Sequence, residues 1–405
     1  VTHSIGERLV RDYGHEIHVL AINHRGDDYP SLLNPKQSTP LRLYRPKSIN
    51  PDDLYGFTRV VELLGKLGER DEEGLDVVVM FNDPQVILQY LFDNDFDPNR
   101  ILLQYRPIIS YIPCDGTNLP GTWTDLLPKT TNVVAMSKWG QQHYEGSQLV
   151  YHGVDTDRFW PVRKKAITLS NGTVCRSKKD CKKAFGIPDP DGFLIGRVDK
   201  NSGRKDYGAF MRAVGPLMRK HTDISLYLHC GDKEKATGAD IPLTMQRWLS
   251  PEELKTRVSM PILNTFVDMP DTDMNALYNA FDLFVSTTRG EGFGMTMAES
   301  LAVGVPVIAQ NVSAIPEVVG PGGILLEPSG VMVTNPSGED LWMPNVGAFS
   351  EAIEHLYLAG GVRRKLGEAG LEHVRSSFSW DVAASKFHEF ISAFTDAAKE
   401  ELTHG

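Results

Sequence analysis

The 405-residue sequence predicts an α/β protein of two domains, each built on a mostly parallel sheet. Three observations predict it. Short apolar runs alternate with amphipathic stretches along most of the chain, the pattern of repeated βα units. Two glycine-bearing loops follow such runs directly, at 196–206 and 289–295. The stretch 283–309 then reads strand, glycine loop, helix, buried strand, which is one crossover unit of a parallel sheet.

The chain opens on a helix at 2–13, with Ile5, Leu9 and Val10 on one side. A strand follows at 16–22. A doubly wound domain normally begins with a strand and a glycine turn, and there is no starting Met, so a first strand and loop are expected to be missing here. Further strands are expected at 41–44, 76–81, 100–105, 110–112 and 132–136, with helices at 54–68 and 85–92 between them. Ser137 is placed to cap a helix over 137–144.

A domain boundary is expected where Leu149-Val-Tyr-His-Gly-Val-Asp155 runs into Arg158-Phe-Trp-Pro161. The second domain then reads as strand 193–196, helix 207–219, strands 224–229 and 263–266, helix 274–279 and strand 283–286. Helix 296–303, strands 305–309 and 323–326, and helices 341–360 and 362–378 complete it, and 380–399 reads as a last amphipathic helix.

Composition narrows the function. The formal charge of -10 argues against bulk attraction to nucleic acid or anionic lipid. A local exception is 163–183, where Arg163, Lys164, Lys165, Arg176, Lys178, Lys179, Lys182 and Lys183 face a single acid, Asp180. The bland reading is a solvated loop; the sharper one is a patch for a polyanionic acceptor, a nucleic acid or a membrane surface. Four cysteines are too few for a disulfide framework, though Cys175 and Cys181 sit close enough in sequence to pair. No apolar run approaches the ~20 residues needed to cross a bilayer, and no leader pattern opens the chain. A cytoplasmic protein is the expectation.

The chemistry concentrates in Arg289-Gly-Glu-Gly-Phe-Gly-Met-Thr-Met-Ala-Glu299. Gly292 and Gly294 let the backbone approach a ligand, and the amides of Phe293, Gly294 and Met295 open a helix, which suits an anion. Glu291 and Glu299 flank this point. Acids beside a phosphate site make sense if they accept hydrogen bonds from hydroxyls of the same ligand. A diphosphate with a hydroxylated group on each side is a nucleotide sugar. The bland alternative is a tight turn with two solvated acids. The loop at 196–206 adds four cations, Arg197, Lys200, Arg204 and Lys205.

The Glu-x7-Glu spacing resembles that of retaining glycosyltransferases of the GT-B fold, family four in particular. The resemblance implies two Rossmann-like doubly wound domains facing a central cleft. It implies domains at 1–155 (acceptor side) and 156–380 (donor side), with 381–405 a helix returning to the first. It also implies donor contacts from Gly196, Arg197, Arg204, Lys205, Gly292, Phe293, Gly294 and Met295 around the diphosphate. Arg197 matches the arginine after the strand glycine, and Lys205 the lysine before the next helix; the loop is about two residues longer than the common form, so Arg204 is an alternative to Lys205. Glu299 matches the ribose carboxylate, Glu291 the one facing the sugar, and Thr265, Phe266 and Val267 the stretch that holds the base.

On the acceptor side, Asp115 and Gly116 end a strand in a loop, and Asn82 and Asp83 end another. Asp115 is the candidate for orienting the acceptor hydroxyl or drawing its proton, the alternative being a plain Asx turn. His152 and His229 read as structural. Asp155-Thr-Asp157 and Asp271-Thr-Asp273 match a metal-binding string, but with a basic loop available no metal or other cofactor is expected to be required. The implied activity is transfer of a sugar from a nucleoside diphosphate, UDP or GDP, to a hydroxyl with retention. A nucleotide-sugar epimerase, a phosphorylase and a non-catalytic nucleotide-sugar binder are the alternatives. The acceptor is open: saccharide, lipid, metabolite, protein or a hydroxylated base.

Overall fold

The computed structural model describes residues 1–20, 41–44, 56, 60, 76–92, 107–230, 238–261, 269–332 and 335–404. They form two compact units: Val1–Pro113 with Leu119–Gly153 and Ser379–Gly405, and Cys114–Asn118 with Val154–Phe378. The expected strands 100–105 and 263–266 lie outside the described residues, as does helix 54–68 apart from Gly56 and Val60.

In the first unit, α1 (Thr2–Tyr13) ends at Gly14, whose left-handed backbone lets its own N–H donate to Val10 O at 3.1 Å and the His15 N–H to Leu9 O at 3.2 Å. It buries Ile5 and Leu9 and packs on the C-terminal helix Trp380–His404. β1 (Ile17–Leu20) pairs in parallel with β2 (Leu41–Tyr44). β3 (Val78–Phe81), followed by α2 (Pro84–Phe92), joins β4 (Ile108–Ile112), β5 (Asn132–Ala135) and, after the short α3 (Lys138–Gln141), β6 (Gln148–Leu149). These last four strands form one parallel sheet in that order. β4 is buried at every residue, as a strand covered on both faces must be. Ser137 caps α3, accepting from Gly140 N–H at 3.0 Å, but the helix stops four residues after it starts and gives way to turns. His152 is buried with Nδ1 2.7 Å from the Tyr111 hydroxyl, and burial lowers its pKa to about 3.

The second unit begins with a hairpin, β7 (Ile167–Thr168) and β8 (Val174–Cys175), and α4 (Lys178–Ala184). This is the basic stretch: Arg163, Lys164, Lys165, Arg176, Lys179 and Lys183 are exposed, while Lys178 and Lys182 turn inward. Lys182 is buried and donates to Gly192 O and Asp282; Lys178 donates to Asp282 and to Phe281 O. Cys175 and Cys181 are free, buried thiols.

The main sheet has six parallel strands: β9 (Phe193–Val198), β10 (Ile224–His229), β11 (Val258–Ser259), β12 (Leu283–Val285), β13 (Val307–Gln310) and β14 (Gly323–Leu326). Their order is β11-β10-β9-β12-β13-β14. Counted from β9 as first strand, this is the doubly wound 3-2-1-4-5-6 order, whose direction reverses between β9 and β12. Helix Tyr207–Lys220 carries the chain from β9 to β10, and helix Met295–Ala302 from β12 to β13. Phe210, Val214 and Leu217 of the former share a core with Phe349, Ile353 and Leu356 of a helix at Val346–Leu358.

One predicted helix starts too early. Leu341–Met343 is a strand, paired antiparallel with Gly330–Met332, and not the first turn of a helix over 341–360. Pro344 disfavours helical backbone at Met343, and the helix begins only after Asn345, whose side chain caps Ala348 N–H at 3.2 Å. Among the described residues no helix is long and apolar enough to cross a membrane.

Candidate active site at the strand-order reversal

Loops that leave the carboxyl ends of β9 and β12 stand side by side where strand order reverses, the position at which such sheets bind ligands. The β9 loop brings Arg204 and Lys205; the β12 loop brings Glu291. Lys205 Nζ pairs with Glu291 Oε1 and lies 3.0 Å from Asp199 Oδ1. Arg204 Nη1 lies 3.1 Å from Glu291 Oε2, and its Nε 3.3 Å from Asp115 Oδ2. Two cations and three carboxylates thus form one partly buried network, with Asp199 and Glu291 at its buried end.

Burial alone would raise the Glu291 pKa and lower those of Lys205 and Arg204; the mutual charges outweigh it. Glu291 is held well below the ordinary carboxylate range by Lys205 and Arg204. Lys205 is raised by Asp199 and Glu291, and Arg204 by Asp115 and Glu291.

The cationic loop is pinned from behind. Asp206 caps helix Tyr207–Lys220 from a left-handed backbone conformation (φ 45°), accepting from Ala209 N–H at 2.9 Å. Its other carboxylate oxygen takes Arg289 Nε at 3.0 Å and Nη2 at 2.9 Å, while Arg289 N–H donates to Arg204 O at 2.9 Å. The two loops are therefore tied through both side chain and main chain.

Arg197 and Gly196 depart from expectation. Arg197 is fully buried. Its guanidinium donates to Thr287 Oγ1 at 2.7 Å, to Asp199 at 3.3 Å and to Lys205 O, and stacks 4.1 Å over the Tyr207 ring. In this state it holds the loop that carries Lys205 and presents no face to a ligand. Gly196 lies on β9 against Phe281, where a Cβ would come within 2.2 Å of the ring, so packing alone requires glycine here.

At the other loop, Gly294 adopts φ 104°, which favours glycine, and starts helix Met295–Ala302 without a side-chain cap. Phe293 turns its ring into the core, edge-on to Phe378 at 5.2 Å. Glu299 lies one turn into the helix. It accepts from the buried Tyr278 hydroxyl at 2.7 Å, and burial raises its pKa to about 7, against the pull of that bond.

Asp115 and Gly116 belong to the second unit and not to the first: Thr117 pairs with Asp340 through both N–H groups at 2.9 Å, and Asp115 is a counter-ion of Arg204. Asn82 and Asp83 follow β3 in the first unit, where Asn82 Oδ1 accepts from Asp83 N–H at 2.9 Å. Thr265, Phe266 and Val267 lie outside the described residues. Three of the four carboxylates of the two Asp-x-Asp strings are used locally. Asp155 closes a turn and pairs with Arg158 at 3.1 Å, Asp271 takes Arg158 at 2.6 Å, and Asp273 accepts from Ser170.

Sequence reasoning missed three members of the site. Asp199 stood inside the basic loop between Arg197 and Lys200, an acid among cations and a usable signal. Ser313, whose Oγ accepts from Glu291 N–H at 2.9 Å, carried no signal of this role in the sequence. Tyr278 carried no signal, because nothing in its helix points to Glu299.

Comparison with known proteins follows this geometry. Residues 189–358 match the family model described as glycosyl transferases group 1. A D-inositol 3-phosphate glycosyltransferase of Corynebacterium aurimucosum is 26% identical over 269 residues, 64% of this chain and 55% of that protein. The chain spans about half the length of the curated relatives it matches. Sucrose-phosphate synthase from Thermosynechococcus elongatus is similar in structure, with a TM-score of 0.69 at 17% identity, over 98% of this chain and 93% of its own. Anabaena HepE in complex with UDP and glucose gives 0.61 at 15%, over 87% of this chain and 86% of that one. At such identities these two structures speak to the fold alone. With a glycine loop, paired glutamates and a 3-2-1-4-5-6 sheet inside the matched span, residues 189–358 are a domain of the glycosyl transferases group 1 family, in a chain of the GT-B fold.

Proposed function

We propose that the protein is a retaining glycosyltransferase, moving a sugar from a nucleoside diphosphate to an acceptor hydroxyl with no metal required. One observation carries the reading: Arg204, Lys205 and Glu291 gather at the strand-order reversal, beside an uncapped helix start that also carries Glu299. A departing diphosphate needs its growing charge stabilised, and fixed cations with helix amides supply this without a metal. In this reading Arg204 and Lys205 exchange their carboxylate partners for the diphosphate. The main chain at Gly292, Phe293, Gly294 and Met295 faces the same anion. Glu299 takes the ribose diol, and Glu291, released from the cations, faces the sugar hydroxyls.

The step is a same-face displacement. The bond from the anomeric carbon to the phosphate oxygen breaks as the acceptor oxygen bonds to that carbon. The acceptor proton passes to the departing phosphate oxygen, so no glutamate is needed as a covalent nucleophile, and the pair is not a hydrolase dyad. Asp115, freed when Arg204 turns to the diphosphate, is the residue we assign to orienting the acceptor; Asn82 and Asp83 are the further acceptor-side residues of this reading. Arg197 acts through Lys205 and Asp199.

A thermal-shift panel of UDP, GDP, ADP and their sugars identifies the donor, and mass spectrometry of acceptor mixtures with that donor identifies the product. Lys205→Met is expected to lower turnover about 10²–10³-fold. Wild-type turnover in that variant, or no shift with any nucleotide, contradicts the proposal.

A further inference from the structure

We propose that Tyr278 is a positioning residue of the donor site: its hydroxyl fixes the Glu299 carboxylate in the orientation that receives the ribose diol. The inference rests on the reading of Glu299 given above. Tyr278 Oη donates to Glu299 Oε2 at 2.7 Å. A carboxylate has about four acceptor positions. Filling one on Oε2 sets the plane of the group and leaves Oε1 for a second donor.

The hydroxyl is a rigid donor. The Tyr278 ring is fully buried and meets Phe159 and Phe281 edge-on, at 5.9 and 6.0 Å between centroids. Its helix, Asp271–Ala280, is anchored by two buried asparagines one turn apart. Asn275 Oδ1 accepts from Trp160 N–H at 3.3 Å and Asn279 Oδ1 from Val162 N–H at 2.7 Å, while Asn279 Nδ2 donates to Trp160 O at 2.9 Å. The ring therefore cannot follow the carboxylate if it swings; the carboxylate stays where the phenol holds it.

The pairing also opposes a cost. Burial pushes the Glu299 carboxyl toward its neutral form, to about 7, and the Tyr278 hydrogen bond is the largest influence that favours the anion. An ionised carboxylate accepts from two hydroxyls at once, and a neutral one does so less well. Positioning and ionisation thus act together on the same ligand contact.

The test uses the full chain and whichever of UDP, GDP or ADP it binds by calorimetry. Tyr278→Phe is expected to weaken binding of that diphosphate about tenfold and to raise the donor KM by a similar factor, with kcat within about twofold. Two further readouts separate positioning from core filling. In a Glu299→Ala background the Tyr278→Phe change should cost less than twofold more, because the two act as a unit. For the 2′-deoxy form of the same diphosphate, the Tyr278→Phe loss should shrink to under threefold. A variant that melts earlier yet binds the ribose diphosphate like wild type overturns the proposal, as does full additivity with Glu299→Ala. If wild type binds the diphosphate but Glu299→Ala binds it equally well, the ribose reading of Glu299 falls, and this inference falls with it.

Discussion

Glu291 and Glu299 stand eight positions apart, yet their surroundings drive them in opposite directions. Glu291 has two cations within ion-pair reach and stays ionised far below neutrality; Glu299 has only a phenol beside it, and burial raises its pKa to about 7. An unfolded glutamate titrates near 4.3. Because the folded value of Glu299 lies above that, its contribution to stability is complete below about pH 4 and is lost as pH rises through about 7. Glu299→Gln mimics the neutral form. It should be more stable than wild type in urea unfolding at pH 8, by about 3–4 kcal/mol for a carboxyl raised from about 4.3 to about 7, and differ little from it at pH 4. An equal shift at both pH values contradicts the assignment. Charge type and spacing made both acids legible in the sequence. The burial of Arg197 was not legible, because arginine is an exposed residue by type, and the Tyr207 ring that accepts its guanidinium becomes a neighbour only once β9 and the following helix have folded.

At the scale of elements, α4 changes the meaning of the basic stretch. Its lysines divide by side. Lys178 and Lys182 turn inward to Asp282, which lies at the start of β12, the strand that delivers Glu291. Lys179 turns outward to Asp191. Burial would raise the Asp282 pKa, but the two lysines lower it. Its contribution is therefore present above the ordinary aspartate value of about 3.9 and is lost as pH falls through the lowered one. Asp282→Asn strands a buried ammonium and should cost about 3–5 kcal/mol in urea unfolding at pH 7. Lys179→Ala, at an exposed pair, should cost under about 1 kcal/mol. Equal costs contradict the division. Strands such as Ile224–His229 and Gly323–Leu326 were readable to the residue because they are apolar runs between turn residues. The hairpin at Gly330–Met332 and Leu341–Met343 was not, because its second strand is three residues long and runs straight into a helix.

At the scale of the whole molecule, a chain of net charge -10 is read as binding an anion. The conflict is local and resolved locally: Arg204 and Lys205 are held in place by carboxylates that a diphosphate can replace, so the seat is preformed before the ligand arrives. The direct measurement is a crystal structure of the protein with the nucleoside diphosphate it binds. The account predicts phosphate oxygens at the amino end of helix Met295–Ala302, within hydrogen-bond reach of Arg204 or Lys205, and the ribose hydroxyls on Glu299. A diphosphate bound elsewhere, with the Lys205–Glu291 and Arg204–Asp115 pairs unchanged, contradicts it.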